Sequence, residues 1–159
     1  MKVLAIDQSY TSCGIVVLNN SKLHFCERFV TDVEKDIFER AWEVVEHLRD
    51  IALSCKPDII AIEGLAFAKN GNATRDLAGL QFAIITTLRF VDGYNIIIIP
   101  PNTVKKTATG KGNASKVEML DALPHQVRQE FDALGVKKST GLLDLSDAYW
   151  IGKSAEIIK

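Results

Sequence analysis

Apolar residues along the chain form short continuous runs near its start and middle and stripes at helical spacing elsewhere. Val3 to Asp7, Gly14 to Asn19 and Leu23 to Val30 are short, rich in β-branched residues and bounded by turn formers, which predicts three strands. Asn19-Asn20-Ser21 supplies a tight turn, so the opening segment reads as an antiparallel meander. The period then lengthens. Val33, Ile37, Phe38, Ala41, Val44, Val45, Leu48, Ile51 and Ala52 recur as on one face of a helix, with Thr31 and Glu34 as a capping box and Lys56-Pro57 as the stop. Asp58 to Glu63 predicts a fourth strand and Gly64 to Gly71 a loop. Asn72 or Thr74 then caps a helix running to about Phe90, apolar at Leu77, Leu80, Ala83, Ile84 and Leu88. Asp92-Gly93 turns the chain into a fifth strand, Asn95 to Ile99, whose isoleucines do not alternate with polar residues and so predict cover on both faces. Beyond Pro100-Pro101 come short helices around Thr103 to Thr107, Ala114 to Leu123 and Pro124 to Leu134, with a flexible Gly110-Lys111-Gly112-Asn113 loop between the first two. Ser139 or Thr140 introduces a last helix from Leu142 to about Ile157.

The order βββ-α-β-α-β-α predicts an α/β fold: a mixed five-stranded sheet, three strands in an antiparallel meander plus two parallel strands, with helices on both faces. This is similar to the ribonuclease H-like arrangement. Neither a repeat nor a linker interrupts it, so residues 1–159 are expected to form a single domain.

Composition agrees with a packed core, at 47% hydrophobic and 25% charged residues. Cys13, Cys26 and Cys55 are odd in number and lack C-x-x-C spacing, so they read as reduced thiols and not as a zinc site or disulfide frame. His24, His47 and His125 have no metal-ligand spacing either. Trp42 is expected in the core or an interface, and Trp150 packing the last helix onto the sheet. With no apolar run of membrane length and no signal-peptide core, the expectation is a soluble, cytoplasmic protein with no membrane partner. Net charge is −1, but its distribution is uneven. From Gly93 to Val117 no acidic residue occurs, while Lys105, Lys106, Lys111 and Lys116 do. Such a stretch is either a solvated lysine-rich loop or a face for phosphate backbone.

The candidate chemistry lies in four acids. Asp7 and Glu63 each end an apolar strand, and strand carboxyl ends are where α/β sheets bind ligands. Asp144 and Asp147 are three apart at the start of the last helix, on one face. Each has a plain alternative: Asp7 capping a turn with Ser9 or Thr11, Glu63 as a paired strand-end charge, and the aspartate pair favoured by the helix dipole. Together on the expected elements they point to a carboxylate cluster, which needs a cation to offset its repulsion. Mg²⁺ on such a cluster serves phosphoryl chemistry.

The chain resembles the RuvC family of Holliday-junction resolvases, in a divergent, phage-like form. The resemblance rests on Leu4-Ala5-Ile6-Asp7-Gln8-Ser9 through Cys13-Gly14, on Ala61-Ile62-Glu63 followed by Ala68-Lys69-Asn70, on Val104-Lys105-Lys106-Thr107 with Gly110, Gly112, Ala114 and Lys116, and on Asp144-x-x-Asp147-Ala148. It implies that Asp7, Glu63, Asp144 and Asp147 hold two Mg²⁺ ions, for which Mn²⁺ can substitute, and that Lys116 sits by the scissile phosphate. It further implies DNA contacts by Lys105, Lys106 and Lys111, by Phe67, Lys69 and Asn70, and by Arg75. The implied substrate is branched DNA, chiefly four-way junctions, cut to 5′-phosphate and 3′-hydroxyl ends without a nucleotide cofactor. Two departures stand out. Ala66 occupies the usual aromatic position after the glutamate, leaving Phe67 to take over the stacking or the stacking lost, and Gln8-Ser9 replaces a Pro-Gly pair.

A broader nuclease acting on flaps, forks or RNA, and an inactive DNA-binding module, are the alternatives on the same fold. An actin-like or sugar-kinase ATPase needs a second phosphate loop that this chain lacks. A four-way junction has two symmetric cut points, so a homodimer is expected, joined through the second helix, where Leu77, Phe82, Ile85 and Leu88 lie on more than one face.

Overall fold

The computed structural model describes residues 1–65, 71–137 and 141–158, with only the backbone at 71–73. β1 (Lys2–Asp7), β2 (Ser12–Asn19) and β3 (Lys22–Val30) form the antiparallel meander, with Asn20 and Ser21 turning the chain at positive φ. α1 (Ile37–Cys55) follows, then β4 (Ile59–Glu63). α2 (Gly71–Ile85) runs on into a π-helical segment over Thr86–Val91, and β5 (Ile96–Ile99) completes the sheet. α3 (Pro101–Thr109), α4 (Lys116–Asp121), α5 (His125–Ala133) and α6 (Leu143–Ile158) end the chain. The five strands lie in the order β3-β2-β1-β4-β5, with β1, β4 and β5 mutually parallel, as the expected fold class requires. Neighbouring β1 and β4 at the centre place Asp7 and Glu63 at the same edge, because Ile6 pairs with Ile62.

Two apolar layers sandwich the sheet. On one face, Leu4, Ile6, Ile15 and Val17 meet α1, α2 and its π-helical extension through Val44, Leu48, Leu80, Ile84 and Leu88. On the other, Val3, Ala5, Val16 and Leu18 meet α6, which is buried along most of its length because α3 and α4 cover its outer side. A helix so enclosed needs apolar residues all round rather than one stripe. It also lies close to the sheet: a Cβ on Gly152 would stand 2.9 Å from Leu18 and 3.2 Å from Ala5. Trp150 is buried and its indole donates to the Met119 carbonyl at 2.9 Å, tying α6 to α4 within the packed layer. All three cysteines are free thiols.

Several local expectations are corrected. The α1 cap is Asp36 with Glu39, not Thr31 with Glu34; both are capping-box pairs, but Thr31 is buried and donates its hydroxyl to the Tyr10 carbonyl. Val33 and Phe38 consequently face solvent instead of the core, and Trp42 is 55% exposed. α2 already includes Gly71, so Thr74 lies inside the helix and not at its cap, while the Asn72 side chain is outside what is described. β5 is an edge strand, and Ile98 is 53% exposed instead of covered. Ala66, Phe67, Lys69 and Asn70 lie outside the described residues, as do the caps Ser139 and Thr140. Among the described residues no helix is long and apolar enough to cross a membrane.

Candidate active site

Register delivers the first two carboxylates and a glycine delivers the third. Asp7 is the last residue of β1 and pairs across the sheet with Gly14 of β2. A Cβ on Gly14 would stand 2.1 Å from the Asp144 carbonyl oxygen, so only glycine lets the first turn of α6 lie directly on the strand beside Asp7. Asp144 is then fixed by the Ser12 hydroxyl, which donates to its Oδ2 at 2.7 Å, with the Arg28 Nε 3.7 Å from the same oxygen. One turn further along α6, Asp147 is 5% exposed and its Oδ1 has no hydrogen-bond partner. On the β4 side, the buried Gln81 of α2 donates to the Glu63 carbonyl at 2.9 Å, and Gln8 reaches the same oxygen at 3.4 Å. Asp7 does not cap the following turn. That loop closes on Ser9, whose hydroxyl accepts from the Thr11 and Ser12 amides.

Lys116 opens α4, whose start is fixed by a Ser115–Glu118 capping box. Its side chain is partly exposed, and its ammonium forms an ion pair with buried Asp147. These groups act on one another's proton affinity. Burial, then Asp147, with Glu63 and Asp144 adding to it against the pull of Lys116, holds Asp7 well above the usual carboxylate range. Glu63 is raised by burial and then by Asp147, opposed by Lys116 and Lys105. Asp147 is raised by burial and by Asp144, although Lys116 and Lys105 lower it. Burial pulls Lys116 down, but Asp7, Asp147 and Asp144 more than offset that and leave it above its ordinary value. Lys116 is thus the counter-ion shared by the carboxylates, with Lys105 of α3 also within electrostatic reach.

The structure brings the four acids and Lys116 within electrostatic reach of one another. Lys106 and Lys111 are exposed on the same segment, between Lys105 and Lys116. Arg75 is exposed on α2, pairing with its neighbour Asp76 at 3.4 Å. Among the described residues no three acidic, histidine or cysteine side chains already stand as a set of metal ligands. The donor chemistry nevertheless suits a hard divalent cation: the acids are all carboxylates, they repel one another, and Asp147 Oδ1 is buried and unsatisfied. Sequence reasoning missed Ser12, Arg28, Gln8 and Gln81 as supports. Their partners are remote in the chain, and no local pattern marks them.

A mixed sheet in this strand order, with helices on both faces, defines the ribonuclease H-like fold. Structural likeness agrees. Thermus thermophilus RuvC in complex with Holliday junction substrate superposes with a TM-score of 0.78 at 21% identity, covering 99% of this chain and 94% of the other. The yeast mitochondrial Holliday junction resolvase gives 0.66 at 15% identity, covering 96% and 76%. The family model for crossover junction endodeoxyribonuclease RuvC matches residues 3–148, and the chain belongs to that family. Similar relatives carrying the same description include one from Nitratiruptor, 30% identical over 93% of this chain and 90% of its own, and one from Rickettsia prowazekii, 32% identical over 80% and 83%.

Proposed function

We propose that this chain is a structure-selective endodeoxyribonuclease that resolves Holliday junctions by hydrolysing phosphodiester bonds, leaving 5′-phosphate and 3′-hydroxyl ends. The observation that carries the reading is the convergence of Asp7, Glu63, Asp144 and Asp147 around Lys116, at the carboxyl edge of the sheet, in a chain of the RuvC family. We assign residues 1–159 to one nuclease domain acting in the cytoplasm.

The four carboxylates would hold two Mg²⁺ ions, replaceable by Mn²⁺, which when bound would supply water activation and charge stabilisation. The chain's own groups do the rest. β1 and β4 hold Asp7 and Glu63 on rigid strand ends, and Ser12 orients Asp144. Phosphate arrives at Lys116, whose raised affinity for its proton keeps it cationic, and the ammonium exchanges Asp147 for charge developing on the phosphate. Lys105, Lys106 and Lys111 continue the positive track along the DNA backbone, and Arg75, Phe67, Lys69 and Asn70 supply further DNA contacts.

Two cut points on one junction call for two copies of the site, which supports a homodimer. Leu88 is fully buried in the core, so the contact falls to the outer side of α2 and its π-helical extension, where Phe82 is 74% and Phe90 75% exposed.

The test compares cleavage of a four-way junction, a flap and a linear duplex in Mg²⁺, in Mn²⁺, in Ca²⁺ and in EDTA. Paired nicking of the junction in Mg²⁺ or Mn²⁺, binding with little cutting in Ca²⁺, and no cutting in EDTA are expected. Equal rates on flap and duplex would make it a general nuclease, and undiminished cutting in EDTA would remove the metal from the mechanism.

A further inference from the structure

Arg28 lies on the same cross-strand row as Asp7: Asp7 pairs with Gly14, and Gly14 with Arg28. Partners on such a row point to one face of the sheet, and two strand spacings put the Arg28 Cα roughly 10 Å from that of Asp7. Both side chains therefore rise on the face covered by α6. Arg28 threads past Gly141, where a Cβ would meet its Cδ at 2.9 Å. It ends near Asp144, but at 3.7 Å the contact is an ion pair without a hydrogen bond. The oxygen it faces already accepts from Ser12 at 2.7 Å. Arg28 Nε is buried with no hydrogen-bond partner. A guanidinium has five donors in a planar fork suited to two oxygens of one oxyanion. To bury one of those donors unsatisfied is costly unless a ligand completes it.

The space beside Arg28 is a solvent-open cavity of about 330 Å³, lined by Ser9, Thr11, Ser12, Arg28, Lys116 and Asp144, with Leu143 as its apolar member. Three hydroxyls and two cations make it a site for an oxyanion. Its lining holds no aromatic ring for a base to stack on, and its one carboxylate is already in contact with Ser12 and Arg28. Lys116 is shared with the proposed scissile position, so this cavity adjoins that position directly.

We propose that Arg28, with the hydroxyls of Ser9 and Thr11, forms a subsite for a second phosphate of the cleaved strand, next to the scissile one. This rests on the nuclease reading above. A phosphate held there fixes the strand's direction across the site, since the row from Asp7 through Gly14 to Arg28 runs one way along the sheet edge.

The test measures junction binding in Ca²⁺ across a salt series, for wild type, Arg28→Ala and Arg28→Lys. Each is also tested with junctions carrying one uncharged methylphosphonate at successive positions beside the cut. Arg28→Ala should flatten the salt dependence by roughly 0.9 and weaken binding about eightfold at 0.1 M salt relative to 1 M. One neutral linkage should weaken wild type by a similar factor and cost Arg28→Ala nothing more. Arg28→Lys should keep the slope and recover part of the affinity. If Arg28→Ala leaves slope and affinity unchanged but slows cutting, Arg28 only props Asp144 and the proposal fails. If the losses from Arg28→Ala and from every neutral linkage are additive, it fails as well. Should Arg28→Ala not fold, the near-isosteric Arg28→Gln is scored by the same criteria. Because binding is read without cutting, a wild type that binds junctions but never cleaves them overturns the nuclease reading separately.

Discussion

Replacing Gly14 by alanine would damage the site without touching any charged group. The new methyl would lie 2.1 Å from the Asp144 carbonyl oxygen and 2.5 Å from its carbon, both backbone atoms, where contacts below 3.0 Å are not tolerated. No rotamer change can relieve a clash with backbone, so the start of α6 must move by about 0.9 Å or more. That motion carries Asp144 away from Ser12, and Asp147 with it. Overpacking of this kind costs about 1–3 kcal/mol, which lowers Tm by roughly 2–12 °C in a chain of this size. Catalysis should suffer far more, since a displacement near 1 Å can cost about 100-fold in rate. Single-turnover nicking of a four-way junction in Mg²⁺, beside binding in Ca²⁺ and thermal melting, separates the two effects. The expected pattern is a folded protein with near-normal affinity and a rate depressed by about two orders of magnitude. Gly79→Ala is the control for the melting measurement, because its nearest neighbour would be Tyr10 at 3.7 Å; on an exposed helix face it should gain about 0.5–1 kcal/mol. Wild-type nicking by Gly14→Ala would refute the claim that this close approach positions the aspartates.

Asp7 binds its proton more tightly folded than unfolded, because burial and then Asp147 raise it, so metal-free stability should fall as pH climbs from about 4 through the raised value. Asp7→Asn removes that penalty: without metal it should melt above wild type near neutral pH, the gap closing toward pH 4, and a pH-independent gap would contradict the assignment. Asp7→Asn should also lose cutting while keeping junction binding. Lys116→Ala should slow the chemical step more than it weakens binding, whereas Lys105→Ala should weaken binding and flatten the salt slope by roughly one unit; matching losses of affinity alone would place Lys116 among the backbone contacts. Phe82→Glu should give a folded monomer in sedimentation with uncoupled nicking of the two strands, and a dimer of undiminished strength would move the contact elsewhere.

What could be seen in the sequence was what each element carries at its end. Asp7 and Glu63 stood out because a charge closing an apolar strand has few structural uses; that their carboxyl ends meet depends on the two strands being neighbours, which the sheet order supplies. The aspartate pair was legible from its spacing on α6. The supports were not. Arg28 lies two strands from Asp7, and its role depends on which edge β3 takes and on α6 crossing Gly14, both long-range facts. The α1 cap was misplaced because Thr31-x-x-Glu34 and Asp36-x-x-Glu39 are equally good capping boxes, and burial of Thr31 against the Tyr10 loop decided between them. The isoleucine run looked buried on both faces because hydropathy cannot distinguish a central strand from an edge one.

That edge has a consequence for solubility. The sheet ends on one side in β3, whose nine residues include Lys22, Glu27 and Arg28 and whose pairing with β2 is broken by an irregularity at Val17 and Leu18. On the other side it ends in four isoleucines. A bare isoleucine edge is a template for another chain to add a strand. Pro100 and Pro101 cut it short: neither can donate to a growing ladder, and Pro101 turns the chain straight into α3. The proline pair therefore acts as a gatekeeper, and the chain can keep its most β-prone segment at the rim of the sheet without inviting fibril-like stacking between molecules.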